Sequence, residues 1–96
     1  MIIIFAGTIA VDPEVRDRYI QLRLEPTARY RAMPGTLHYS ITADAVDPTL
    51  VNVFECYENE EALEAHRAVH TLNTEVPVRS YDLYRYEATR VPLNVG

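Results

Sequence analysis

Within the run FECYENEEALEAH, from Phe54 to His66, Glu55 and Tyr57 alternate with Phe54 and Cys56, so they share one face of a strand, and His66 follows on a helix. A carboxylate beside an imidazole could do acid/base chemistry. Near neutral pH a histidine can take a proton, and a carboxylate can orient the ring and stabilise its protonated form. At about 100° per residue, His66 falls in the least polar stripe of its helix, between Ala62 and Val69 on one side and Leu63 and His70 on the other. It should point at the sheet. Strand alternation groups Val51, Val53, Glu55 and Tyr57 against Asn52, Phe54 and Cys56 but leaves open which group meets the helices. If the Glu55 face does, a carboxylate, a phenol and an imidazole converge in an apolar cleft. The same three groups could equally form a satisfied buried polar cluster with no catalytic role.

Other chemistries find less support. His66 and His70 at i, i+4 imitate half of a metal site, but no HExxH pattern accompanies them and only Glu55 offers a third ligand, so no metal is expected. Cys56 lacks a neighbouring base and reads as a small buried hydrophobe. Tyr81, Tyr84 and Tyr86 read as core and interface packing rather than a stacking platform. There is no glycine-rich phosphate loop and no CxxCH, so no cofactor is expected. The formal net charge of -5, with no cluster of basic residues, argues against nucleic acid as a partner. A lone cysteine fits a reducing compartment, and the apolar start Met1 to Phe5 lacks the basic region and length of a signal peptide. A soluble cytoplasmic protein with no membrane segment is expected.

The elements that must position Glu55 and His66 follow in the order βαββαβ. Ile2 to Val11 is rich in β-branched residues and reads as a strand. Asp12 can cap a first helix, Pro13 suits its first position, and Val15, Tyr19 and Leu22 recur at helical spacing toward Ala32, with a kink or break expected at Pro26. Thr36 to Ala43 and Leu50 to Glu58 form a hairpin around Asp47-Pro48. Asn59 caps a second helix whose first turn carries Glu60 and Glu61, Ser80 to Ala88 supplies the last strand, and Thr89 to Gly96 is an extended tail. The 96 residues are enough for one α+β domain, ferredoxin-like, with a four-stranded antiparallel sheet.

Strand one is apolar on both faces, with Ile2, Ile4 and Ala6 on one and Ile3, Phe5, Ile9 and Val11 on the other. Two helices cover only one face of the sheet, so a second copy of the chain is expected to cover the other, making a homodimer with a shared barrel-like core. Phe5 and Phe54 are assigned to the partner side, and Ala6 and Thr8 to the pocket side, where their small size would leave room for a ligand beside Val53, Tyr57 and His70.

The element order, the opening IIIFAGTIAVDPEVRDRYI, the PGTLHY start of strand two and the run VFECYENEEALEAH resemble the antibiotic biosynthesis monooxygenase family over residues 1 to about 70. That resemblance implies a dimeric α+β barrel with an apolar pocket between sheet and helices, and oxidation of quinols or polyphenolic aromatics by dioxygen without flavin, haem or metal. It also implies that the aromatic ending strand three lines the pocket, which selects the Glu55 and Tyr57 face. That position is often Trp in the family and is Tyr57 here. The spacing His66-Arg-Ala-Val-His70 is one residue tighter than the usual arrangement with a Pro-His pair. Haem-degrading relatives use a pocket Trp and a strand-one Asn, and this chain has neither, so that branch is not expected.

The mechanism this implies has His66 take a proton from an aromatic quinol while Glu55 holds the imidazole, after which the substrate anion itself reduces dioxygen. A non-catalytic ligand-binding or stress-associated dimer, or an isomerase using the same base without oxygen, would carry the same pocket.

Overall fold

The computed structural model describes residues 1–94. β1 (Ile2–Val11) leads through a short 3-10 turn (Pro13–Val15) into α1 (Arg16–Leu22) and α2 (Leu24–Arg31). The hairpin of β2 (Thr36–Ala43) and β3 (Leu50–Tyr57) follows, then α3 (Glu60–Val69) and β4 (Val78–Ala88). The strands form one antiparallel sheet in the order β2-β3-β1-β4, so the earliest strand lies beside the last one and beside β3. This is the ferredoxin-like α+β architecture expected from the order of elements.

The first helical segment breaks at Arg23, not at Pro26 itself. Proline lacks the N–H that would pair with the carbonyl four residues earlier, and its ring crowds that carbonyl; for Pro26 that residue is Leu22, where α1 ends. Asp12 also differs from expectation. Its side chain makes no cap hydrogen bond. Its carboxylate instead accepts two hydrogen bonds from Arg79, at 3.0 and 2.6 Å, joining the end of β1 to the start of β4. Asn59 does cap α3, its Oδ1 accepting from the Ala62 amide at 2.9 Å. β4 begins at Val78, before Ser80, because Val78 pairs with Val11 across an irregularity in the β1 ladder.

Register decides which side chains meet. Phe5 lies opposite Glu55 and Ile3 opposite Tyr57, so the odd-numbered residues of β1 share the inner, helix-covered face with the candidate site. Ala6 lies opposite Phe54 and Thr8 opposite Asn52, on the outer face. The expected placement was therefore one residue out of register between these strands. Phe5 packs beneath α3 against the cluster of Ile3, Tyr57, Ala62 and Leu63, whereas Ala6 and Thr8 face away from it. A larger cluster of Ile9, Val11, Tyr19, Val51, Val53 and Val76 fills the space beneath α1. The core tyrosines are Tyr19, Tyr30, Tyr39 and Tyr57. Tyr81, Tyr84 and Tyr86 are exposed, so none of these three belongs to the core of the chain.

The hairpin connection is tied to α1 by Arg16, whose Nη1 reaches the carbonyls of Asp44, Asp47 and Leu50. Thr89–Asn94 has no regular structure, and Val95 and Gly96, the end of the expected tail, lie outside the described residues. No described helix is long and apolar enough to cross a membrane.

Gly7, on the inner face at the middle of β1, has φ +150°, and a Cβ added there would come within 2.0 Å of the Asp82 carbonyl oxygen. Gly7→Ala must therefore move β1 against β4, at an expected cost of about 3 kcal/mol. Urea unfolding of the variant beside the native chain checks this; an unchanged midpoint would contradict the close strand approach.

Candidate functional site

The inner face, the α1–α2 segment and the loop following α3 line a partly open cavity of about 230 Å³. Its apolar walls are Ile9, Ile41, Val53, Val78 and Leu83, and its polar groups come from Arg23, Tyr39, Glu55 and His70. A wider depression of about 440 Å³ adjoins it, bounded by Phe5, Leu63, His66 and Arg67. Glu55, His70, Leu72 and Leu83 border both. Glu55 thus stands where the two lobes meet.

Tyr57 sits directly behind that carboxylate. Its hydroxyl donates to Glu55 Oε1 at 2.5 Å, and its ring is fully buried. Burial raises the Glu55 pKa, and the Tyr57 bond and the positive charge of Arg23 offset only part of that rise. Burial and the neighbouring Glu55 raise the Tyr57 pKa, so the phenol remains a donor.

His66 reaches the sheet as its helical phase requires, and it is buried. Its Nε2 lies 3.7 Å from Glu55 Oε1, beyond hydrogen-bonding distance. Four rings surround the imidazole: Tyr30 edge-on at 4.5 Å between centroids, His70 at 5.1 Å, Tyr57 at 5.3 Å and Tyr39 at 5.5 Å. Nδ1 is buried without a hydrogen-bond partner. Burial, with the charges of His70, Arg23 and Arg67, lowers its pKa to about 4, so the ring is neutral at physiological pH.

Arg23 is the polar residue that sequence reading missed. It is only 6% exposed, in a chain where the other arginines are not buried. Its Nη1 donates to the Thr71 carbonyl at 3.1 Å, while the Thr71 amide donates to Tyr30 Oη at 3.0 Å. Arg23 and Tyr30 thereby pin the start of the loop after α3 across the cavity mouth. The signal was present in the spacing. Tyr19, Arg23, Pro26 and Tyr30 follow each other by four, three and four residues, which sets a guanidinium into the apolar stripe of the first helical segment.

Of the residues singled out from sequence, the structure brings Glu55, Val53 and His70 to the smaller cavity, and His66 to the wider lobe. Tyr57 contacts Glu55 from behind and lines neither lobe. Ala6 and Thr8 are on the outer face and border neither lobe; the residues of β1 that line the lobes are Ile9 and Phe5, on the inner face. Cys56 is a buried free thiol whose pKa burial raises, which matches its structural reading. No group of three metal-ligating side chains occurs among the described residues.

A ferredoxin-like sheet with a ligand-sized cleft under two helical segments, holding a half-buried carboxylate, defines a small pocketed α+β protein. The sequence profile of the antibiotic biosynthesis monooxygenase family matches residues 2–71, and the chain belongs to that family. No curated protein matches it. Among solved structures it is similar to a proposed antibiotic biosynthesis monooxygenase of Caulobacter crescentus, with a TM-score of 0.74 and 20% identity over 93% of this chain and 91% of that one. A counterpart from Deinococcus radiodurans gives a TM-score of 0.67 and 19% identity, covering 100% of both chains. The heme-free, cleaved heme-degrading protein of Mycobacterium tuberculosis matches equally, at 0.67 and 19% over 100% of both chains. At these identities the structural likeness shows the fold alone.

Protonation of His66 should be visible in stability. Its folded pKa of about 4 lies below the ordinary 6.5, so between these values the unfolded chain binds a proton that the folded chain does not. The His66 contribution is therefore complete above the ordinary value and is lost as pH falls toward the folded one. Glu55, with its raised pKa, acts in the opposite sense, so the two must be separated by substitution. Between neutral pH and about pH 5, His66 should account for a loss of about 2 kcal/mol, absent in His66→Asn. Urea unfolding of both proteins at both pH values checks this; equal losses would show that His66 titrates normally.

Proposed function

We propose that the protein is a cofactor-independent monooxygenase that oxidises a small aromatic quinol with dioxygen, and that it works as a homodimer. The observation that carries this reading is the placement of Glu55: a half-buried carboxylate with a raised pKa, held by Tyr57 at the junction of the two lobes. The names borne by family relatives point to the same class of reaction.

Burial makes Glu55 a stronger base than an exposed carboxylate and His66 a weaker one than an exposed imidazole. Glu55 is accordingly the first proton acceptor, and neutral His66, 3.7 Å away, accepts a hydrogen bond from the protonated carboxyl once the pair closes up. This exchanges the roles that sequence alone suggested. The bound quinol loses its hydroxyl proton to Glu55, and the quinolate gives one electron to dioxygen. Superoxide and the ring radical then join at the carbon beside the oxygen. Loss of the C–H proton with cleavage of the O–O bond leaves a new carbonyl and releases hydroxide, which is protonated to water. Quinol plus dioxygen thus give hydroxyquinone plus water, all four electrons of dioxygen reduction coming from the substrate. The chain supplies binding, deprotonation and exclusion of water.

The outer face supports the dimer. It carries Ile2, Ile4 and Ala6 with Phe54, Tyr84 and Tyr86, and neither helical layer covers it. A second copy would remove this apolar surface from water and leave the inner cavities intact.

Two outcomes are expected. Oxygen uptake with hydroquinone should fall about 10²–10⁴-fold in Glu55→Gln and by a smaller factor in His66→Ala, both remaining folded. Substrate binding with no oxygen uptake by the native protein would favour the non-catalytic ligand-binding reading. Phe54→Glu should convert a dimer to a monomer in light scattering, and a native protein that is already monomeric would remove the dimer.

A further inference from the structure

Arg23 and Glu55 border the same cavity, yet no ion pair joins them, since Glu55 has no basic partner within 4.0 Å other than His66. Arg23 pairs with no carboxylate among the described residues; it donates to the neutral Thr71 carbonyl, and its other neighbours are the phenols of Tyr39 and Tyr30, so its charge has only neutral partners. A guanidinium this deeply buried is costly to desolvate, and one carbonyl offsets only part of that cost. Arg23 lines the cavity. Tyr39 stands beside it, its hydroxyl kept protonated by burial and by the Glu55 charge, which push its pKa up to about 12. The cavity wall therefore carries an uncompensated guanidinium beside the Tyr39 phenol, with the Glu55 carboxylate opposite Tyr39 across the β2–β3 ladder.

We infer that Arg23 is a substrate-binding residue that selects an aromatic ligand carrying an anionic oxygen, a carboxylate or an acidic enolate, in addition to a hydroxyl directed at Glu55. The inference rests on the reading of this cleft as the ligand site, but not on turnover. The anion would complete the guanidinium's hydrogen bonding in the paired, planar geometry that arginine offers and lysine does not. Cavity size limits the ligand: about 230 Å³ is below the roughly 300–1,000 Å³ of pockets for drug-sized molecules, so the smaller lobe fits one ring. A quinol bearing a carboxylate has the required pattern. A neutral quinol lacks the group that answers Arg23.

The test is anaerobic calorimetric titration of the intact protein with gentisate, its methyl ester and hydroquinone at neutral pH, where only gentisate is anionic. Gentisate should bind about 10–100-fold more tightly than the ester, as expected for one buried charge-assisted contact. Arg23→Gln should abolish that preference while leaving ester affinity within about 3-fold, and Arg23→Lys should restore part of it. Thermal melting of each variant establishes that it is folded, and Arg23→Met serves where the Gln variant is not. Equal affinity of the native protein for gentisate and its ester would overturn the inference, as would a preference that survives in folded Arg23→Gln, or no saturable gentisate binding at millimolar concentration. Oxygen uptake is measured separately: charge-selective binding without uptake would sink the monooxygenase reading and leave the role of Arg23 standing.

Discussion

The pairing of Phe5 with Glu55 across β1 and β3 is the constraint on which the candidate site depends. Side chains alternate strictly along a strand, so a slip of one residue would send Glu55 to the outer face and bring Phe54 under the helices. Three features hold the register. Gly7 allows β4 to approach where any side chain would collide with the Asp82 carbonyl. Arg16 ties the β2–β3 connection to α1 through three backbone carbonyls. Asp44 steadies the same connection from within, accepting from the amides of Val46 and Asp47 and from the Asn52 side chain. None of these residues touches the cavity, yet each bears on which residues can.

Once the register is fixed, the site's chemistry follows from burial rather than from close pairing. Had Glu55 and His66 formed a tight ion pair, the carboxylate would be held ionised and the ring protonated, and neither would be free to exchange a proton. The observed 3.7 Å separation, with Tyr57 taking the hydrogen-bonding position on Glu55, leaves the carboxylate with a raised pKa and the imidazole neutral. The aromatic cage of Tyr30, Tyr39, Tyr57 and His70 serves this end by excluding water from His66 without offering Nδ1 a partner.

Much of this architecture was legible in the sequence. The strand and helix patterns specified the βαββαβ order, Asn59 marked the start of α3, and helical phase alone aimed His66 at the sheet. What was not legible was relational. Alternation within β1 and within β3 was correct, but nothing local to either strand states how they pair, so Phe5, Ala6 and Thr8 were assigned to the wrong faces together. Asp12 looked like a cap because its type and position suit one, and a distant Arg79 claimed its carboxylate instead. The Pro26 break lies a turn upstream because the damage a proline does is to the carbonyl four residues before it. Arg23 escaped notice because an isolated arginine is usually solvated. Only its neighbours at helical spacing, Tyr19, Pro26 and Tyr30, reveal that its position is an inward one.

Inward polar groups of this kind bear on stability as well as on binding. A buried polar atom without a partner costs about 1–3 kcal/mol, and a domain of this size has only about 5–15 kcal/mol of stability in total. His66 Nδ1, buried without a partner, and the Arg23 guanidinium, buried without a carboxylate, are therefore both costly in a 96-residue chain. A structure selected for stability alone would place Leu or Met at either position, since an apolar side chain of similar volume removes the penalty outright. Their retention beside a cavity, and not within the close-packed cluster of Ile9, Val11, Val51 and Val53, is consistent with groups completed by a ligand. In that case binding and folding are linked: a ligand that satisfies Arg23 stabilises the folded chain in proportion to its affinity, and the unliganded protein is the less stable form.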